Sequence, residues 1–218
     1  MRKFMTTAAV AGIAALGLAA CSQGTASTDG PSGQASSAGD LRFVNVVKLT
    51  GVAWFDRMEA GILEWASENG IDATQTGGED SSPEKQVSIV QDLLAQNPTA
   101  IGVVPNSPES LEAVLKRARE QGIIVVSHEA SNQQNIDADI EAFDNESYGV
   151  AKMDALAECM DGEGEYVAFV GNLTAKTHME WVEAALQHAA TEYPGITRVE
   201  TPIETRDDES TAYARTKE

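Results

Sequence analysis

The sequence predicts an α/β protein with a doubly wound parallel sheet. Three observations carry that expectation. From Leu41 on, short β-rich apolar runs alternate with helical stripes, the order that right-handed βαβ units produce. Two of the helices open on Ser-Pro-Glu, which supplies an N-cap, a proline at the first helical position and an acid for the helix dipole. The run Ile123-Ile124-Val125-Val126 is apolar on both parities, as a strand covered on two faces must be.

The elements follow in order. Strands are expected over residues 43–48, 71–76, 100–104, 123–127 and 166–170. The first helix carries Phe55, Met58, Ile62 and Trp65 as its apolar stripe. The second starts at Ser82-Pro83-Glu84, shows Val87, Val90 and Leu94, and stops at Asn97-Pro98. The third starts at Ser107-Pro108-Glu109, places Leu111, Val114, Leu115 and Ala118 on one face, and stops at Gly122. An extended stretch around 136–143 leads through Asp144-Asn145 into a helix over 146–160. Asp161-Gly162-Glu163-Gly164 then breaks the chain and opens a second lobe. That lobe is expected to hold a helix near 177–190, a stop at Tyr193-Pro194-Gly195, a strand near 198–202 and a last helix from about Asp208. Two lobes of about 150 residues each need on the order of 300 residues. The chain, whose last expected helix is still running at Glu218, therefore reads as a fragment with an incomplete second lobe, too unfinished to close its cleft on a ligand.

Ahead of this lies a different kind of sequence. Arg2 and Lys3 precede an apolar run from Ala8 to Ala20, which ends in Leu18-Ala19-Ala20-Cys21 and a Ser/Gly/Thr-rich tail. A basic start, a short apolar stretch and small residues before a cleavage point make a secretory signal. Thirteen residues are too few to span a hydrocarbon core of about 30 Å at ~1.5 Å per residue. The expected organisation is a signal peptide over 1–20, a flexible linker over 21–40 behind a lipidated Cys21, an N-terminal α/β lobe over 41–145, and a crossover with a partial second lobe over 146–218. The L-A-A-C ending resembles the lipobox of bacterial lipoproteins, which implies an exported protein held at the outer face of the cytoplasmic membrane or in the periplasm.

Composition narrows the function. Acids outnumber bases 34 to 15, a formal charge of −19 that becomes −21 when residues 1–20, with two bases and no acid, are removed. Such a surface repels nucleic acid and anionic lipid. With two Cys, one of them Cys21, no disulfide framework is expected, and Cys159 reads as a small core residue on a helix. Three dispersed His without an H-E-x-x-H pattern give no basis for a metal site. No G-x-S-x-G, P-loop or G-x-G-x-x-G after the first strand occurs, so hydrolase and nucleotide chemistry lose support. No cofactor is expected.

Open parallel sheets bind ligands beyond the carboxyl ends of their strands. The first strand ends at Lys48, and the next loop delivers Trp54-Phe55. The third ends at Pro105-Asn106-Ser107, the fourth at Ser127-His128-Glu129. In the second lobe Gly171-Asn172-Leu173-Thr174 is followed by Lys176-Thr177-His178 ahead of Trp181. Trp54 lies off the core stripe, free to stack on a flat apolar ligand face, whereas Phe55 shares that stripe and reads equally as core or contact. Asn106 and Ser107 read as helix caps, and His188 as solvent-facing or packed. Lys, Glu, His, Thr, Asn and Trp together suit a polyhydroxylated neutral ligand, whose hydroxyls require both donors and acceptors. Glycosidase chemistry needs two carboxylates flanking one bond, and only Glu129 stands at a strand end in that way.

At these residues the chain resembles the periplasmic sugar-binding proteins of ABC importers, of the ribose-binding type. Lys48-Leu49-Thr50-Gly51-Val52-Ala53-Trp54-Phe55 is similar to the first-strand segment of the autoinducer-2- and rhamnose-binding branch; residues 101–106 and Phe143-Asp144-Asn145 through Gly149 also look like family signatures. The resemblance implies a type I periplasmic-binding-protein fold, a non-enzymatic role and delivery of a simple sugar to a membrane permease by a monomer. It also implies ligand contacts from Lys48, Trp54, Phe55 and Glu129 in the first lobe and from Thr177 and His178 in the second, with a hinge at Asp144 and Asn145. An autoinducer-2 receptor is the alternative within the fold. His128-Glu129 stands where those receptors place an acid, and Thr177-His178 where they place Asp-Gln, so the contact chemistry differs. An exported carbohydrate-active enzyme is the weaker alternative.

Overall fold

A computed structural model describes residues 40–218. The expected signal, lipidation and most of the linker, including Cys21, lie outside these residues. Five parallel strands form one sheet in the order β2-β1-β3-β4-β5: β1 (Arg42–Val47), β2 (Asp72–Gly77), β3 (Ala100–Val103), β4 (Ile124–His128) and β5 (Ala138–Ile140). Helices α1 (Ala53–Asn69), α2 (Pro83–Leu94) and α3 (Pro108–Glu120) make the crossovers. Because β1 lies between β2 and β3, the winding reverses there and opens a crevice at the carboxyl ends of β1 and β3.

The two faces of this sheet differ. On one, Val44 and Val46 of β1, Ile101 and Val103 of β3 and Val125 of β4 pack against the stripes of α2 and α3, forming the main core. The Ser82 cap is realised, its hydroxyl accepting from the Lys85 N–H. At Ser107 the side chain caps nothing and donates to Glu109 instead.

The other face overturns the expectation of a strand sealed on both sides. Ile124 is 49% exposed, because α1 covers only the β1–β2 side. A groove of about 800 Å³ remains over β3–β5, walled by Trp54, Met58 and Trp65 and floored by Ile124, Val126 and Ile140. Trp65 is accordingly no core residue: it stacks on Phe43 at 5.8 Å and stays 44% exposed.

The second lobe is built from α4 (Asn145–Cys159), α5 (Lys176–Glu192) and α6 (Glu209–Arg215), with two small parallel sheets. β6 (Glu163–Tyr166) pairs with β8 (Gly195–Arg198), and β7 (Phe169–Val170) with β9 (Ile203–Glu204). The single strand expected over 166–170 is therefore divided. Opposite the break stands Pro202, which has no N–H to donate to a ladder. Helices α4 and α5 approach closely at Gly149, where a Cβ would lie 2.5 Å from the Trp181 carbonyl oxygen. Cys159 is exposed at the end of α4, so the expectation of a core cysteine is corrected. Among the described residues no helix is long and apolar enough to cross a membrane.

Candidate ligand-binding cleft

The crevice between β1 and β3 is filled from α2. Gln86, buried, donates to the carbonyls of Val104 and Val47 and accepts from the Asn106 N–H. This clamps the two strand ends together and orients the residues that follow them. Asn106 is fully buried, and its side-chain amide donates to the Lys48 carbonyl at 3.1 Å. Its role is to join strand ends, which corrects the expectation of a helix cap.

Lys48 is 2% exposed and donates to Glu129 at 2.5 Å. Glu129, also buried, holds a left-handed backbone at φ 59°, a conformation that costs a non-glycine residue of order 1 kcal/mol and that clusters at functional sites. Burial pushes the Glu129 carboxyl up, but the Lys48 ammonium overrides this and holds it below the usual carboxylate range.

The second lobe reaches the same place. His178 Nε2 lies 3.5 Å from Lys48 Nζ, and its Nδ1 accepts from the Gly171 N–H at 3.2 Å. Burial, reinforced by the neighbouring ammonium, drives its pKa down to about 4, so it is neutral at pH 7. Asn172 donates to Asn106 Oδ1, Thr174 to the Asn106 carbonyl, and Ser81 to the Arg206 carbonyl. Through these contacts the second lobe meets the first. Three buried polar atoms have no hydrogen-bond partner here: His128 Nε2 beside Glu129, Thr177 Oγ1 at the start of α5, and Asp207 Oδ2. Burial raises the Asp207 carboxyl above its ordinary value.

The structure thus brings together Lys48, Glu129 and His178 and buries Thr177 completely. Trp54 stands apart from that cluster, 45% exposed and stacked on His128 with ring centres 6.4 Å apart. Phe55 lies in an apolar cluster with Val47, Leu49 and Val104, the core alternative rather than a position among the polar groups. Asp144 caps α4 by accepting from the Ser147 N–H. Asn145 ties the start of α4 to α5, donating to Glu180 and accepting from the Trp181 indole. His188 pairs with Asp154 at 2.6 Å. Ser81, Asn172 and Asp207 were not singled out as contacts. Asp207 follows β9 at its carboxyl end, where the strand-end rule applied a second time finds it.

The groove on the open sheet face is lined mainly by apolar groups, with His128 among its few polar ones, and offers few partners for a polyol's hydroxyls. Donors and acceptors are gathered instead at the strand ends, on Lys48, Glu129 and His178. Among the described residues no group of His, Cys, Asp and Glu is arranged to hold a metal ion.

A two-lobed α/β fold with polar groups converging from both lobes at the strand carboxyl ends defines the class of a solute-binding protein. Residues 43–218 match the periplasmic binding protein domain. The chain belongs to that family, and its architecture is the type I fold with a partial second lobe. Similar solved structures include an ABC transporter solute-binding protein from Burkholderia graminis in complex with D-arabinose (25% identity, 84% of this chain and 62% of that one, TM-score 0.76). Another, from Clostridium phytofermentas, holds L-rhamnose (19% identity, 81% and 56% covered, TM-score 0.78). LsrB from Clostridium saccharobutylicum, in complex with AI-2, matches at 19% identity over 80% and 56%, with TM-score 0.73. The chain spans about three-fifths of the length of these structures.

Proposed function

We propose that the chain is the ligand-capture part of an exported, lipid-anchored solute-binding protein of an ABC importer. It binds a simple sugar between its lobes for delivery to a permease, acts as a monomer, and catalyses no reaction. The observation that carries this reading is the buried Lys48–Glu129 pair with His178 of the second lobe 3.5 Å from the ammonium. An ion pair removed from water is costly to bury, and its placement at the meeting of two lobes suits a ligand with both donors and acceptors. Lys48, Glu129, Thr177 and His178 provide the polar contacts, Trp54 an aromatic wall, and Phe55 supports the strand end from the core. Asp144 and Asn145 form the hinge, since they fix the entry to α4. The sugar complexes among the similar structures support the ligand class.

Calorimetry of the chain with D-arabinose, L-rhamnose, D-tagatose and autoinducer-2 tests this. Binding of a sugar that is lost in Glu129→Gln is the expected result. Binding of autoinducer-2 alone makes the chain a receptor for that signal, and binding of none removes the reading. Lipidation is tested separately, by incorporation of labelled palmitate that disappears in Cys21→Ala.

A further inference from the structure

Two histidines flank the buried ion pair, and the main chain settles which of their ring nitrogens carries hydrogen. His178 Nδ1 receives the Gly171 N–H. A peptide N–H only donates, so Nδ1 must be the lone-pair nitrogen and the proton of the neutral ring sits on Nε2. That Nε2–H faces the Lys48 ammonium at 3.5 Å, donor against donor. His128 is the mirror case. Its Nδ1 lies 2.6 Å from the Ile140 carbonyl oxygen, which only accepts, so Nδ1 carries the hydrogen, and in the neutral ring Nε2 is the lone-pair nitrogen. That Nε2 is buried without a hydrogen-bond partner and stands 3.7 Å from Glu129 Oε1, acceptor against acceptor. The Nδ1 contact to the Ile140 carbonyl fixes the orientation of this ring, on which Trp54 stacks with ring centres 6.4 Å apart.

Each imidazole is therefore aimed at a group of its own kind. A donor facing a donor is relieved by an intervening acceptor, and an acceptor facing a carboxylate by an intervening donor. A hydroxyl is both. We propose that His128 and His178 are specificity-determining residues locked in opposite tautomers. His128 Nε2 accepts a hydrogen bond from one ligand hydroxyl, and His178 Nε2–H donates to the oxygen of another. This deepens the sugar-binding reading and rests on it. It adds His128, which the strand-end reading did not count as a contact, and it specifies the polarity that each ring imposes.

The tautomers are measured on the ligand-free chain at pH 7.5 by long-range 1H–15N correlation of the imidazole rings. Expected are the Nε2–H form at His178 and the Nδ1–H form at His128. The reverse tautomer at either ring, or an imidazolium at His128, overturns the proposal without touching the sugar reading. Calorimetry with D-arabinose, L-rhamnose and D-tagatose then tests the contacts. For whichever sugar binds, His178→Phe and His128→Phe each weaken binding at least tenfold, while His178→Gln, which keeps an N–H donor, recovers most of the loss. Binding indifferent to both Phe variants overturns the contacts and leaves the sugar reading standing. Failure of all three sugars to bind the unaltered chain removes the sugar reading and the contacts with it, whatever the tautomers. If a Phe variant does not fold by circular dichroism, the tautomer measurement on the unaltered chain decides.

Discussion

In the first lobe, Val44, Ile101, Leu115 and Val125 are sealed between a five-stranded sheet and two helices, whereas in the second, α4 and α5 pack mainly on each other around Met153, Ala157 and Ala189 beside strands of two to four residues. One lobe is a layered core, the other a helix pair with short sheets at its side. The difference teaches how such a cleft divides its labour. The rigid lobe fixes Lys48, Asn106 and Glu129 on strand ends clamped by Gln86, and the less consolidated lobe carries His178 and Thr177 on a helix start. Segments with fewer buried apolar contacts open at lower free energy, so local opening is expected to be easier in the second lobe.

The comparison is broken most directly at the ion pair that both lobes share. Lys48→Met leaves a buried carboxylate without its partner, a loss of about 3–5 kcal/mol by the general cost of breaking such pairs. Urea unfolding monitored by tryptophan fluorescence is expected to show it, and adding Glu129→Gln to the same chain is expected to restore most of it. A loss below 1 kcal/mol means that the pair is hydrated and the cleft not closed.

Core truncations sharpen the contrast between lobes. Leu115→Ala empties a fully buried site, with an expected cost of about 2–5 kcal/mol. Met153→Ala in α4 belongs to the smaller cluster and is expected at the low end of that range, where relaxation is easier. Hydrogen exchange is expected to show slower amides in β1 and β3 than in β7 and β9; equal protection removes the contrast.

Acid tests the meeting point. His178 titrates at about 4 in the folded chain, against about 6.5 unfolded. The unfolded chain binds more protons between these values, so this contribution is complete above pH 6.5. It is lost progressively as the pH falls to about 4, by ~3 kcal/mol. Glu129, with its pKa lowered, contributes above its unfolded value and is lost at still lower pH. His178→Gln is expected to flatten the upper of these windows in pH-dependent denaturation, and an unchanged slope shows that the ring is not buried beside the ammonium. The smallest effect is expected at the open sheet face: Ile124→Thr changes a half-exposed side chain and is expected to move stability by about 0.5 kcal/mol or less.

How much of this was legible beforehand follows a physical line. Lys48 and Glu129 stand at strand ends, where topology alone brings residues together, and the strand-end rule found both. Their pairing at 2.5 Å across 81 positions was not legible, because nothing local records which strands are neighbours. Asn106 was misread as a cap: its sequence neighbours are those of a helix start, and its partners Lys48 and Asn172 are distant. Ile124 was misread as covered, since apolar character on both parities says what a strand tolerates, not which helices are there to cover it.

By itself the sequence determined the alternation of strands and helices, the punctuation of α2 and α3, and the set of residues at the carboxyl ends. These depend on side-chain periodicity and on local backbone chemistry, which act within a few residues. Tertiary structure alone decided that Phe55 goes to the core and Trp54 against His128, that α1 leaves half a sheet face open, and that two imidazoles meet one ion pair with opposite polarity. Those outcomes depend on contacts between segments far apart in the chain and on which main-chain groups happen to lie beside a ring nitrogen.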